Sequence, residues 1–153
     1  LPSGDIISKD TYYIKSTPDV TITSPGNAST PITVNAYNPV DGSIAPDSGR
    51  GYTRSGFIKP DLSSPGVNLV CPVLNNSYGT ASGGGAAAAF TAGIASIVLE
   101  WGVIMGNFTN INGLDVKKLL IRGAERSDDI SYPNNIWGYG KINAYNVFEK
   151  LRE

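Results

Sequence analysis

The 153 residues contain no histidine and one cysteine, Cys71. Those two facts remove the commonest general base and the commonest metal ligand, and they exclude an internal disulfide. The acid pair Asp128 and Asp129 lies in "ERSDDISYPNN", a polar run that reads as a solvated turn rather than a ligand set. No metal and no cofactor is expected. What remains for chemistry is "YGTASGGGAAAAFTAG", residues 78–93. Three glycines, Gly83, Gly84 and Gly85, open a segment otherwise rich in helix formers. A glycine inside a helix costs about 1 kcal/mol relative to alanine, because it has more backbone freedom to lose. Helix stability therefore does not account for them. One reading is a flexible linker. The other is a helix start where Gly83 to Gly85 form a small anion-accepting pocket for a carboxylate or sulfonate, with Ser82, Gly83 and Gly84 as substrate-binding positions.

The elements that would position this stretch follow from pattern. "DTYYIKS" and "DVTITS" alternate polar and apolar residues as half-buried strands do, with a turn at "TPD". "PITVNAYN" is a third β-rich run, ended by "NPVDGS". Residues 41–66 read as one long loop, and "VNLVCPV" as a strand buried on both faces. The helix led by the glycines runs to about Leu99; from Ala86 to Leu99 it is too short to cross a bilayer, which favours a buried core helix. Its alanines and Gly93 would let neighbouring backbone come close. "GLDVKKLLIRGAE" predicts an amphipathic helix capped near Asn112, and "INAYNVFEKLR" a final helix.

Composition bounds the partners. With 41% hydrophobic residues, 16% charged residues and a net charge of −1, the chain reads as globular. It has no basic footprint for nucleic acid and no polybasic segment for a membrane surface. The opening "LPSGDIISKD" lacks an initiator Met and the charged and apolar regions of a signal peptide, and reads as the start of a mature fragment.

Three runs in order carry a family resemblance. They are "SGRGYTRSGFIKPDLSSPGVN", similar to a run ending in K-P-D-x-x-A-P-G-V; "GGGAAAAFTAG", at G-T-S-x-A-x-x-x-x-A-G; and "WGYGKINAYNVF", at G-x-G-x-[IL]-[ND]. From "TSPGNASTPITVNAYN" onward the chain resembles the C-terminal half of a subtilisin-like serine protease, and most closely the clostridial Csp subtilases of spore germination. The resemblance implies an α/β fold, a parallel sheet flanked by helices over 23–153, preceded over 1–22 by the last strands of a jelly-roll insertion.

It also implies what the glycines replace. The family's nucleophilic serine lies eight residues before the glycine of the "AG" pair, which here is Gly93, so the position falls on Gly85. Gly84 stands at the family's threonine, and "SGTS" has become "SGGG". Glycine has no side chain with which to attack a carbonyl. The family's aspartate, histidine and oxyanion-hole asparagine lie upstream of this region. Asn27, in "SPGNAST", mimics the family's G-N dipeptide but comes too late in the fold order and reads as a turn residue. Ser82 as a substitute nucleophile would break the eight-residue spacing.

The expectation is thus a catalytically inactive subtilase, a pseudoprotease, used for binding or signalling. Its expected partners are the N-terminal half of the same subtilase, other Csp-type proteins or a germinant, in the cortex or coat region of a bacterial spore or secreted. An active endopeptidase whose serine has been replaced is the alternative, and a binding module unrelated to proteases is a third.

Overall fold

In the computed structural model, residues 17–152 are described. Two parallel strands, β1 (Val34–Tyr37) and β2 (Leu62–Pro65), pair in register from Val34 with Leu62 to Tyr37 with Pro65. An antiparallel hairpin follows, β3 (Leu69–Val73) and β4 (Ser77–Ala81), and leads into α1 (Gly84–Leu99). A π-helical turn, Glu100–Ile104, extends α1; α2 (Gly113–Arg122) and α3 (Ala144–Glu149) complete the order.

Successive residues of a strand face opposite sides. Leu62 packs with Ile94 and Val98 of α1, and Ala36 with Ala87. On the other side the Asn35 amide donates to the Ile136 carbonyl at 2.8 Å. The helices close the core around Leu62: Val116 and Leu120 of α2 and Val147 of α3 belong to the same buried cluster. The start of α2 is dictated locally. Asn112 Oδ1 accepts from the backbone N–H of Leu114 and Asp115, and Asp115 Oδ2 accepts from the Asn112 N–H. This reciprocal cap satisfies donors a helix start leaves orphaned.

Five expectations change. Residues 62–65 of the supposed loop are strand β2, because they find a parallel partner far away in sequence. Residues 43–48 of that loop fold back along β1, with the Ala36 carbonyl accepting from Ala45 N–H at 2.9 Å and Ser48 Oγ accepting from Ala36 N–H. "VNLVCPV" is not buried on both faces: it holds β3, whose Val70 is 74% exposed. Asn75 and Asn76, at φ 62° and 50°, turn the chain back on itself after Val73, so β3 pairs with β4 instead of entering the parallel pair. Residues 19–24 form no strand; Val20 and Thr21 each donate one backbone bond, to the Gly51 and Arg50 carbonyls. Within 1–22, residues 17–22 carry no strand, and "DTYYIKS" lies outside the described residues.

The fourth change concerns α1. It is buried only along a stripe, Ala87, Thr91, Ile94 and Val98, while Phe90 and Ile97 on its flank are exposed. With its π turn the helical run Gly84–Ile104 has 21 residues and a mean hydropathy of 1.7, long and apolar enough to cross a membrane. The length argument against a span therefore fails. The stripe shows instead that this helix packs on the strand pair. Its small residues do permit close approach, but on the buried side: a Cβ added to Gly66 would lie 2.6 Å from Ala36 Cβ and 3.0 Å from Ala87 Cβ. At Gly93 the space is open. The last helix is also shorter than its apolar pattern, running over Ala144–Glu149 behind the Asn143 cap.

Candidate functional site

The glycine triplet sits where the hairpin hands the chain to α1. Gly83 is the N-cap, at φ 112° and ψ 178°, a conformation that disfavours any side chain. Its N–H donates to the Gly66 carbonyl at 2.7 Å, which ties the helix start to the end of β2. Gly84 and Gly85 are the first two helical residues, both exposed. Neither has positive φ, and a Cβ at either would meet nothing within 4 Å. One glycine of the three is thus required by the backbone, and two are not.

Ser82 is occupied. Its Oγ accepts from the Asn68 N–H at 2.9 Å and lies 3.4 Å from Asn68 Oδ1, fastening the end of β4 to the start of the hairpin. Asn68 is at φ 52°, and this bond supports it there. Among the described residues no side chain caps α1, so its first-turn amides lack the partner that Asn112 supplies in α2. The structure therefore brings Ser82, Gly83, Gly84 and Gly85 together at one helix start, beside an exposed hairpin. Asn27 is elsewhere: its Oδ1 is bonded to Ser24 Oγ, in the turn closed by Ala28 N–H on the Pro25 carbonyl. Asp128 and Asp129 are exposed, in the turn closed by Ile130 N–H on the Ser127 carbonyl. The recess of about 750 Å³ over residues 18, 21–26, 33–35 and 46–50 is not lined by the glycine triplet.

A buried charge cluster fixes the entry to β2. Asp61 Oδ2 is 2.7 Å from Lys59 Nζ and Oδ1 is 2.7 Å from Lys117 Nζ, with the Thr33 N–H also donating to Oδ2 at 2.8 Å. Burial pushes the Lys59 amine down, against the pull of Asp61 and with the push of Lys117. In the sequence Lys59 and Asp61 were visible only inside "KPD"; Lys117 gave no signal.

The sequence pattern of the subtilase family matches residues 10–140. The chain belongs to this family. It is 34% identical over 146 residues to serine protease AprX of Bacillus subtilis, covering 82% of this chain and 31% of that protein. It is 31% identical over 126 residues to the C5a peptidase of Streptococcus pyogenes, covering 81% of this chain and 10% of the peptidase. The structure of the Clostridium perfringens CspB protease superposes with a TM-score of 0.87 at 33% identity, over 92% of this chain and 31% of that one. The patellamide maturation protease PatA, at 18% identity and a TM-score of 0.70 over 88% of this chain and 48% of its own, shares the fold. The α/β architecture is thus subtilisin-like, with parallel strands flanked by helices. The chain spans about a third of the length of AprX and of the CspB protease.

Proposed function

We propose that this chain is part of a catalytically inactive subtilase, a pseudoprotease that keeps the fold for binding or signalling. The observation that carries the reading is Gly85: an exposed helical position with ordinary φ and open space for a side chain, filled by a residue that has none. No hydroxyl can attack from there. Ser82 does not replace it, since its Oγ is engaged by Asn68. The likeness to the CspB protease supports a role beside active Csp proteases in spore germination, in the cortex or coat region of the spore.

The N-terminal half of the same subtilase is the partner this reading requires. The flank of α1, with Phe90 and Ile97 exposed, supports it. Full-length protein should show neither peptide turnover nor fluorophosphonate labelling. Labelling mapped to Ser82 overturns the reading. The variant Gly85→Ser separates the alternatives: if it alone becomes labelled and cleaves peptide, the remaining machinery is intact and the protein is an endopeptidase with a replaced nucleophile. If it stays silent, the loss extends beyond one residue.

A further inference from the structure

We infer that two lysines divide the work around Asp61: Lys59 is its internal counter-ion, and Lys117 is a latch that fastens α2 to the segment leading into β1. Three segments meet at this carboxylate. Lys59 and Asp61 stand at the entry to β2; Thr33, whose N–H bonds Asp61 Oδ2, stands just before β1; and Lys117 reaches in from α2. Backbone carbonyls complete the set. Lys59 Nζ donates to the Pro31 carbonyl at 2.7 Å, and Lys117 Nζ to the Ser29 carbonyl at 2.9 Å and the Pro31 carbonyl at 3.4 Å.

The two ammonium groups are not equivalent. The Lys59 side chain is 1% exposed and that of Lys117 14%, against 3% for Asp61. Removing Lys59 leaves Asp61 Oδ2 with only the Thr33 N–H and the Pro31 carbonyl with only the 3.4 Å bond from Lys117, at the most deeply buried point of the cluster, which is destabilising. Removing Lys117 leaves Asp61 still paired with Lys59 at 2.7 Å and still holding the Thr33 N–H. What is lost then is the polar bridge from α2 to Ser29. Among the described residues two positive charges face one negative, so Asp61 stays paired when one ammonium leaves. The more exposed one is the one that can leave.

The test is amide hydrogen exchange on the full-length protein, comparing Lys117→Met, Lys117→Arg and Lys59→Met. Lys117→Met should speed exchange about ten-fold at residues 29–33 and 113–120 while residues 62–65 keep the wild-type rate, as local opening predicts. Lys117→Arg, which keeps the charge, should restore most of that protection. Lys59→Met should accelerate 62–65 as well, or fail to fold. An even acceleration across the domain in Lys117→Met, or none at all, overturns the latch. So does an Arg variant no better protected than Met.

Discussion

Two neighbouring parts of this molecule obey different rules. In the body around β1, β2 and α2 the buried charges are answered, with Asp61 holding two ammonium groups and Lys59 finding the Pro31 carbonyl, and Leu120 is fully buried; the hydroxyls of Ser63 and Ser64 in β2 are the buried groups without a partner among the described residues. Around the hairpin and the start of α1 little is filled. Val70, Leu74 and Tyr78 are exposed, no side chain among the described residues caps α1, and the space at Gly84 and Gly85 is open. The difference teaches that packing is dense in the strand and helix body and open at the helix start that carries the candidate site.

The largest test of that contrast is truncation on either side of it. Leu120→Ala should destabilise the full-length protein by about 2–5 kcal/mol, because the side chain lies in the common core of α1, α2 and β2. Val70→Ala, in the hairpin, should stay within about 0.5 kcal/mol. Urea unfolding of both variants checks it; similar losses would mean that the hairpin is part of the body.

Where the two parts touch, Gly66 is the sharper probe. Its added Cβ would press on Ala36 and Ala87, so Gly66→Ala forces β2 and α1 apart and should destabilise by about 1–3 kcal/mol. Because the Gly66 carbonyl also receives the Gly83 N–H, the same variant should raise the exchange rate of that amide. A stable variant with an unchanged Gly83 amide would show that the joint between strand and helix is slack.

Much of this was written in short-range pattern. Asn112 followed by Asp115 specifies the cap of α2, and the alternation in "PITVNAYN" contains β1. The glycine run marked the candidate site. Interactions set by distance in sequence were illegible: β2 is "LSSP", with two serines and a proline, and becomes a strand only because β1 offers a parallel edge. Lys59 meets Pro31 across 28 positions, and Lys117 meets Asp61 only when α2 packs. "VNLVCPV" misled for the opposite reason: an apolar run reports what could be buried, and the asparagine turn after it decided that it was not.

The glycine triplet tests the open region itself, with effects near 1 kcal/mol. Gly84→Ala and Gly85→Ala should each stabilise by up to about 1 kcal/mol, since both have helical φ and free space. Gly83→Ala should destabilise by about 1 kcal/mol, because alanine does not tolerate φ 112°. A uniform response of the three positions would remove the distinction between a required cap and two dispensable residues.

The smallest effect is a pH slope, and it reads the body. Tyr37, at the end of β1, has its phenol pushed above 10.0 by burial and then by the negative charge of Glu125. The folded state therefore holds this proton where the unfolded chain has released it, so stability is fully present below about pH 10 and falls as pH rises through the folded value. Lys59 acts in the opposite direction. Burial lowers its pKa below 10.5, so the unfolded chain binds the extra proton just under that pH and stability rises with pH there. Tyr37→Phe removes the falling contribution and leaves the rising one. Between about pH 9 and 11, unfolding free energy should decline less steeply in Tyr37→Phe than in wild type. Identical slopes would show that the phenol is as solvated in the fold as in the unfolded chain, and that the well-partnered body ends before Tyr37.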